Sequence, residues 1–583
     1  MENKFTTTIN NVLVIGSGGA GLRSAIEVKL RGLSVQVLSK RSKIDAHTAL
    51  AAGGINAAFG NVDQEDSWQQ HFADTFLEGY GLGDPRSIEI MAQESMDLVN
   101  ELEDWGADFA KLNNGNFDQR FFGAHTYRRT CFSGDYTGRT ILNTLLNKAN
   151  SLNIPIVDSQ YVTELLVSDG TCFGAISFNM NSAEKSIHLA DAVVIATGGH
   201  TGIWKRSSSR KKENTGDGLY LALKAGCKLV DMEMVQFHPT GILKPDEIAG
   251  TLVTEAVRGE GGKLLNSNNE RFMINYDKER MELSTRDRVT IANYLEIKAG
   301  RNSPNGGVFL DITHRNKEDI IKRIPRIYRL FLNEQFIDIS ETPMEVAPTS
   351  HYSMGGIDVE PTTHSTCING IYAVGEVAGG LHGANRLGGN SLAEILVFGK
   401  RAGKAASLYS QNKEYVSRPN HIIQEATKNI DKLMKSGKYY SSVLQHELGE
   451  IMWEYCGVVR EDNSLQVALE KIEELKEKAK YLDVRLDGEG CSDLISTYDL
   501  LASMMSAEAT VLGALSRKES RGAHQRTDFP TSKNSENVNY KILLTDDYKL
   551  IVQSKKLRKL KDSLQVIVNK TKPLSTSSGM LLE

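Results

Sequence analysis

The stretch Asn11-Val12-Leu13-Val14-Ile15-Gly16-Ser17-Gly18-Gly19-Ala20-Gly21 decides the fold that we predict for this chain. A short apolar strand leads directly into a G-x-G-x-x-G turn, and the apolar spacing that follows predicts a helix. In such a turn Gly16 allows the tight bend, Gly18 lets backbone amides approach a pyrophosphate, and Gly21 packs the helix on the strand. The helix N-terminus adds partial positive charge. The sequence therefore predicts a Rossmann-like α/β domain in which residues 16–21 bind a dinucleotide.

The next strands indicate which dinucleotide is bound. The second strand, residues 34–38, is followed by Ser39 and Lys40, where an NAD-binding fold normally has an acid that holds the ribose. This departure counts against NAD. Two further apolar segments, residues 192–199 and 371–376, predict buried strands that lead into turns, and Glu376 is placed to accept a hydrogen bond from a ribityl hydroxyl. These features favour FAD.

Two glycine-containing segments indicate where the flavin ring lies. His47-Thr48 precedes the pair Gly53-Gly54, and glycines let a flat ring lie against the backbone. An imidazole at the rim of that ring can be bonded to it, so we predict a covalent attachment through His47. The segment Gly388-Gly389-Asn390-Ser391-Leu392 opens a helix whose amino end is expected to stabilise negative charge on the reduced ring.

Size and composition describe an ordinary large protein. The 583 residues are enough for three or four domains, and 68 Lys and Arg against 73 Asp and Glu give a net charge of −5, which argues against nucleic-acid binding. The six cysteines are scattered without close pairs, unlike a disulfide, zinc or iron-sulfur framework, so no metal is expected. No apolar run approaches the ~18 residues of a membrane span, and residues 1–10 are polar. We expect a cytoplasmic protein that docks on a membrane complex.

Changes of pattern along the chain predict the domain organisation. The dinucleotide-binding domain is divided by an inserted capping domain, and apolar residues at helical spacing after residue 416 predict a helical domain. The basic run 555–561 is expected to form a charged, solvated face. The predicted units are residues 1–231 and 351–415 (FAD-binding domain), 232–350 (capping domain), 416–537 (helical domain) and 538–583 (a small C-terminal extension).

A group of polar residues between positions 231 and 391 is the candidate for chemistry. If residues 254–262 are helical, Glu255 and Arg258 share a face and can pair. Arg286 follows Ser284-Thr285, which are expected to cap a helix. Arginine matches a carboxylate in a two-point contact. We therefore predict a dicarboxylate pocket built from two arginines and two histidines: Arg286, Arg386, His238 and His351.

With these motifs the chain resembles the flavoprotein subunits of succinate dehydrogenase and fumarate reductase. The resemblance covers roughly residues 8–535, and it includes the late segment 517–530. It implies a two-part flavin domain, a mobile capping domain, a helical domain and an iron-sulfur partner subunit that exchanges electrons with membrane quinone through an anchor. Two departures are Ala51-Ala52, where the family often has a glutamine, and the segment after about residue 538, which is not expected in the family.

The resemblance also implies roles for single residues. His47 matches the histidine that bonds the flavin, Asp217 a flavin-domain contact, and Arg286 the residue that exchanges the substrate proton, with Glu255 and Arg258 as its relay. The implied reaction is hydride transfer between flavin N5 and a methylene carbon of a four-carbon diacid. The residues that match the carboxylate-binding set are His238, Thr254, His351 and Arg386.

Two other functions compete with this interpretation. L-aspartate oxidase shares the flavin domain and much of the pocket, but it uses a free flavin, and that family usually lacks a histidine at the position of His47. A non-catalytic flavoprotein that serves as a scaffold would not need the intact set of charged residues. The direction of the reaction, succinate oxidation or fumarate reduction, is not readable from these residues.

Overall fold

The computed structural model of this chain describes residues 5–486, 490–533 and 537–571. Residues 1–4 of the polar amino-terminal stretch and 572–583 of the predicted C-terminal extension therefore lie outside the described residues.

The secondary structure is numbered in chain order. The strands are β1 (Thr6–Ile15), β2 (Val35–Leu38), β3 (Ile55–Asn56), β4 (Gln119–Arg120), β5 (Thr130–Cys131), β6 (Ile156–Val157), β7 (Gln160–Ser168), β8 (Thr171–Asn179), β9 (Lys185–Ile195), β10 (Leu229–Val230), β11 (Val235–Ile242), β12 (Lys263–Leu265), β13 (Val308–Asp311), β14 (Met344–Ser353), β15 (Gly356–Ile357), β16 (Ile371–Ala373), β17 (Val459–Arg460), β18 (Gln525–Arg526), β19 (Val538–Leu544) and β20 (Leu550–Lys556). The helices are α1 (Gly19–Leu30), α2 (Trp68–Glu78), α3 (Pro85–Asp104), α4 (Thr137–Ser151), α5 (Asp217–Lys224), α6 (Glu255–Gly259), α7 (Met273–Tyr276), α8 (Arg286–Lys298), α9 (Lys317–Arg323), α10 (Pro325–Glu334), α11 (Asn390–Asn412), α12 (Asn420–Leu433), α13 (Ser441–Tyr455), α14 (Asp462–Ala479), α15 (Ser492–Ser516) and α16 (Asp562–Lys570).

The main sheet carries the dinucleotide turn. Its order is β6-β2-β1-β9-β8-β7, and β16 pairs with the second half of β9. Strands β6, β2, β1, β9 and β16 are parallel, whereas β7 and β8 form an antiparallel extension. Val12 and Val14 are fully buried on one face against α1 and α11, and Leu13 is buried on the other face. Because both faces are covered there, residues 12–15 at the end of the strand form a continuous apolar run.

The carboxyl ends of the parallel strands meet at one edge of this sheet. The Gly16 turn follows β1, Ser39 follows β2, Thr197 follows β9 and Glu376 follows β16. Ligands of open α/β sheets bind at this edge. The fold therefore brings the residues predicted to contact the cofactor to one edge of the sheet, although up to 360 residues of sequence separate them.

The chain leaves this domain along β11 and returns along β14. These two strands pair in an antiparallel sheet of order β11-β14-β13-β12, which has its own core around Val346, Leu310 and Phe331. Helices α12 to α15 then pack in a further apolar core, which they share with β7 and β8 of the main sheet. This architecture confirms the predicted fold class: a Rossmann-like domain with an inserted capping lobe, followed by helices. The exact domain boundaries stay predictions.

The C-terminal extension is integrated with the flavin domain. Strand β19 pairs with β10, and the β19–β20 hairpin completes a four-stranded sheet. The basic residues of the run 555–561 are exposed, which confirms the predicted charged, solvated face. Two of them also reach acidic residues at the start of α3: Lys561 pairs with Glu89 at 2.7 Å and Arg558 pairs with Asp84 at 3.2 Å. None of the described helices is long and apolar enough to cross a bilayer.

Candidate active site

A cavity of about 1370 Å³ extends from the Gly16 turn to the capping lobe. It lies at the sheet edge where the parallel strands end, and capping residues from β11, α6 and α8 close its other end. The predicted residues that line it are Gly16, Ser17, Gly18, Gly19, Ala20, Ser39, Lys40, His47, Thr48, Gly53, Gly54, Asp217, His238, Thr254, Glu255, Arg286, His351, Glu376, Arg386, Ser391 and Leu392.

The glycines of the turn have the three predicted properties. Gly16 has φ +112°, and a Cβ there would lie 2.2 Å from the carbonyl oxygen of Ala196. A Cβ on Gly21 would lie 2.0 Å from the Gly16 carbonyl oxygen, so Gly21 fixes helix-to-strand packing and does not line the cavity. A Cβ on Gly18 would meet a single atom within 4 Å, the Thr48 hydroxyl at 3.6 Å. The turn thus leaves open space for a pyrophosphate at Gly18.

Lys40 is held by two carboxylates at the neighbouring part of the cavity. Its Nζ lies 2.5 Å from Oδ1 of Asp499 and 3.4 Å from Oδ2 of Asp217. Burial lowers the pKa of Lys40, but these two carboxylates outweigh burial and raise it above its ordinary value. Lys40 is therefore a fixed cation, and Asp499 of α15 ties the helical domain to the cofactor end of the cavity.

The amino end of α11 reaches the cavity through Ser391 and Leu392 but not through Asn390. The Asn390 side chain is fully buried, and it accepts hydrogen bonds from Asn56 and His71, each at 2.8 Å, and donates to Thr75 at 2.9 Å. It lies in a polar network behind the cavity. The structure therefore does not bring the Asn390 side chain to the predicted cofactor contact.

His47 and Glu376 lie at the part of the cavity where we predict the flavin. His47 Nδ1 is 3.0 Å from Oε2 of Glu213, and Glu376 accepts the backbone N–H of Ser353 at 3.0 Å. Gly53 lies close to an aromatic ring, since a Cβ there would be 2.7 Å from Phe122. The open face at Gly18, the cavity size and these polar groups fit an FAD molecule.

Arg286 is the first residue of α8, as predicted, and it pairs with Glu255. Its Nε donates to Oε2 of Glu255 at 3.1 Å, and Arg258 Nη2 lies 3.8 Å from the same oxygen. Burial raises the pKa of Glu255, but the two guanidinium groups outweigh burial and hold it below its ordinary value. Arg258 is fully buried and stands behind Glu255, outside the cavity lining. The predicted cap is incomplete, because the Thr285 hydroxyl makes no capping hydrogen bond.

Arg386 is buried beside Arg286 and makes no ion pair with a carboxylate of the described residues. Its Nη2 donates to Oε1 of Gln236 at 3.1 Å and lies 3.3 Å from His351 Nε2, and its guanidinium is 4.2 Å from the centre of the Tyr352 ring. Burial and then repulsion by Arg286 lower its pKa to about 10, so it stays charged at neutral pH.

The two histidines of the predicted dicarboxylate pocket, His238 and His351, are neutral, so each ring has one donor and one acceptor nitrogen. Burial, followed by the nearby arginines, moves the pKa of His238 and of His351 well below the ordinary value. Their rings lie 5.5 Å apart on the paired strands β11 and β14. The Thr240 backbone N–H points to His238 Nδ1 at 3.3 Å, which leaves the proton on Nε2. Thr254 lines the cavity and caps α6 by accepting from the Ala256 N–H at 3.0 Å.

Sequence reasoning missed Gln236, which links the two arginines. Its Oε1 accepts from Arg386 at 3.1 Å and from Arg286 Nη1 at 3.5 Å, and its amide donates to Asn385 at 2.7 Å. The signal in the sequence was its position two residues before His238, because side chains two residues apart lie on the same face of a strand. An uncharged oxygen holds the guanidinium groups together without neutralising them.

We expect Gln236→Glu to raise the KM for dicarboxylates while flavin content stays unchanged. A carboxylate at this position would act as a counter-ion for both arginines and compete with the substrate. Loss of one charge-assisted contact of ~1.5–3 kcal/mol corresponds to a KM increase of roughly 10- to 100-fold. Steady-state kinetics with an artificial dye measure the effect. An unchanged KM would show that Gln236 does not set the charge of the pocket.

Comparisons with known proteins agree with this geometry. Residues 11–392 match a family model described as FAD binding domain, and residues 445–570 match one described as fumarate reductase flavoprotein C-term. The second match runs to residue 570, so the expectation that the segment after residue 538 falls outside the family was wrong.

Two curated relatives and one solved structure are similar over nearly the whole chain. A fumarate reductase (CoM/CoB) chain of Methanothermobacter marburgensis is 42% identical, with 90% of this chain and 95% of the relative covered. The succinate dehydrogenase flavoprotein subunit of Rickettsia bellii is 34% identical, with 96% and 97% covered. The structure of Mycobacterium smegmatis Sdh1 in complex with UQ1 is 38% identical with a TM-score of 0.89, and 95% of each chain is covered. This chain belongs to the family of succinate dehydrogenase and fumarate reductase flavoprotein subunits.

Proposed function

We propose that this chain is the flavoprotein subunit of a succinate dehydrogenase or fumarate reductase, and that its cavity interconverts succinate and fumarate. The observation that carries the proposal is the pair Arg286 and Arg386, both facing one end of a cavity whose other end is a dinucleotide turn. Two cations beside two neutral histidines suit a dianion with a carboxylate at each end. Bound FAD supplies the chemistry, since its ring accepts or donates a hydride.

The residues of the chain bind and orient the diacid. Arg386 and His351 take one carboxylate, and His238 and Thr254 take the other. Two fixed ends hold a methylene carbon in a single position relative to the cofactor. Polarisation of one carboxylate by these donors stabilises the negative charge that develops during the transfer.

Arg286 moves the proton at the carbon next to the one that exchanges the hydride. A free guanidinium scarcely gives up a proton near neutrality. The contact with Glu255 supports the role, because an ionised carboxylate 3.1 Å from Nε can return a proton as one leaves. Arg258 lies behind Glu255 and completes the relay.

We propose that FAD is attached covalently through His47. In His47→Ala we expect FAD to be bound and yet fully released by acid, whereas wild-type protein keeps it. Fluorescence of the denatured polypeptide in a gel measures attachment, and His446→Ala, at an exposed histidine, is the control. If flavin washes off wild-type protein made with its maturation factors, the attachment is wrong.

We also propose that the chain works with an iron-sulfur subunit. Among the described residues no group of three or more His, Cys, Asp or Glu side chains is placed to hold a metal ion. In the proposed reaction the flavin exchanges electrons with quinone through a carrier, and we assign that role to the iron-sulfur subunit. The relative from R. bellii is a succinate dehydrogenase flavoprotein subunit, and the M. smegmatis structure shows Sdh1 in complex with UQ1. We place the chain on the cytoplasmic side of the inner membrane, peripherally, through an anchor and quinone.

A substrate comparison tests the function. Purified protein is assayed with a dye acceptor on succinate and on L-aspartate, and in reverse with fumarate and a reduced dye. Activity on succinate or fumarate without activity on aspartate is expected. Oxidation of aspartate with a releasable flavin would favour L-aspartate oxidase, and no activity on any of them would favour a scaffold.

A further inference from the structure

Glu213 makes the hydrogen bond that fixes the His47 imidazole. Its Oε2 lies 3.0 Å from His47 Nδ1 and also accepts the backbone N–H of Arg210 at 3.1 Å. The carboxylate is 9% exposed, whereas the His47 side chain is 30% exposed and lines the cavity. The Glu213 carboxylate is thus a buried acid that lies next to Nδ1 of the His47 imidazole.

This contact decides which imidazole nitrogen carries the proton. Burial raises the pKa of Glu213, but the hydrogen bond from His47 and the contacts with Arg210 outweigh it and lower the pKa below its ordinary value. An ionised carboxylate can only accept, so the proton lies on Nδ1. Nε2 makes no hydrogen bond to any described residue, and in this tautomer it carries the free lone pair.

The loop that carries Glu213 is fastened to the loop that carries His47. Arg210 Nη1 donates to the backbone oxygen of Asp45 at 2.6 Å and pairs with its carboxylate at 2.8 Å. Arg41 pairs with Asp45 at 3.2 Å. These contacts fasten the two loops to each other, and Asp45 makes no ion pair or hydrogen bond to His47 itself.

We propose that Glu213 is the positioning residue for covalent attachment of the flavin, by holding the proton on Nδ1 and directing the Nε2 lone pair toward the cofactor. The inference rests on the proposed attachment through His47. A carboxylate that orients a histidine in this way also raises the basicity of the opposite nitrogen. No role in attachment follows for Glu213 from the sequence motifs, because it lies 166 residues from His47.

The covalent attachment of the flavin to His47 is a two-electron oxidation of the ring methyl group, and its atoms and electrons balance. One C–H bond of the ring methyl breaks and its proton leaves, an Nε2–C bond forms, and two electrons remain on the flavin. Fumarate, the oxidant of the proposed reaction, takes these electrons with two protons and becomes succinate. The imidazole keeps its Nδ1 proton and becomes a cation, which Glu213 then pairs.

Three variants test the proposal in full-length protein made with its maturation factors. The readout is the covalent fraction, which is the flavin fluorescence of the denatured polypeptide divided by total FAD in the native protein. Loss of a residue that orients a histidine costs roughly 10- to 100-fold in the function of that histidine. We expect a covalent fraction of about a tenth of wild type or less in Glu213→Leu, and about half in Glu213→Gln, whose oxygen still accepts but lacks charge.

Asp45→Asn is the matched control, because it removes a carboxylate charge from the same pair of loops but leaves the Glu213–His47 contact in place, and it is expected to keep the wild-type covalent fraction. A wild-type fraction in Glu213→Leu overturns the proposal, as does an equal loss in Asp45→Asn. If Glu213→Leu binds no FAD, the test rests on Glu213→Gln. A covalent fraction in Glu213→Gln equal to that of wild type then overturns the proposal. Absence of attached flavin in the wild-type protein itself would instead overturn the attachment through His47.

Discussion

Arg286→Gln is expected to keep its flavin and to lose turnover with both succinate and fumarate. Positioned acids and bases contribute roughly 10²- to 10⁴-fold, and Arg286 also provides one of the two charges of the pocket, so we expect kcat to fall by about 10³-fold or more. Glutamine keeps a hydrogen-bonding amide near the position of Nε but lacks the guanidinium group that passes the proton. Dye-coupled kinetics measure kcat, and the visible spectrum of the flavin measures cofactor content.

The control for this variant is Arg288→Gln on the same helix. Arg288 pairs with Asp277 at 3.6 Å and does not line the cavity, so its loss removes an equal charge from α8 without touching the site. We expect its kcat to stay within about twofold of wild type, as for most changes away from a functional feature. Turnover retained in Arg286→Gln would remove the proton transfer from this residue and leave it a binding role only.

Glu255→Gln should resemble Arg286→Gln if the relay holds, because the amide cannot return a proton. The two effects are then expected to be non-additive in the double variant, as for residues that act as a unit. This follows from the 3.1 Å contact between the two side chains. Equal and additive losses would mean that Glu255 only orients the guanidinium.

Much of the fold could be predicted because local sequence and global topology agree. The apolar strand before Gly16 and the helix after Gly21 follow from periodicity and turn chemistry, which act over short distances. The family resemblance brought distant residues such as His238 and His351 to one pocket. Periodicity alone could not do this, because their meeting depends on the pairing of β11 with β14, a contact between segments about 100 residues apart.

Other features depend on side-chain directions that the sequence does not show. Asn390 has the right position at a helix N-terminus, but its side chain satisfies a buried network with Asn56 and His71. Gln236 and Glu213 lie in stretches with no signature of their own, and their importance follows from the partner that each reaches. Buried polar groups must find partners, and the choice of partner is settled only in three dimensions.

Arg386 is a buried cation that lacks a carboxylate partner among the described residues, and this has a consequence for stability. Within the same part of the chain its Nε has no hydrogen-bond partner, while its other nitrogens contact only uncharged groups: Ser391, Gln236 and His351. Taking a charge out of water without a counter-ion costs several kcal/mol. A bound dicarboxylate supplies the missing counter-ion, so the cost is tolerated in the free protein and recovered when substrate binds.

Arg386→Gln is therefore expected to raise the KM for succinate by about 100-fold or more and, without ligand, to leave the Tm unchanged or higher. In wild type, a non-reacting dicarboxylate such as malonate at about 100 times its Kd should stabilise the protein by about 2.7 kcal/mol, and this shift should vanish in the variant.

Arg517→Gln is the contrasting variant, because Arg517 is equally buried but pairs with Glu233 at 2.6 Å and Asp231 at 3.0 Å. Removing that cation strands two carboxylates and should destabilise the protein by ~3–5 kcal/mol. Thermal unfolding with and without malonate separates the two cases, and a lower Tm for ligand-free Arg386→Gln would mean that Arg386 serves the fold and not the substrate.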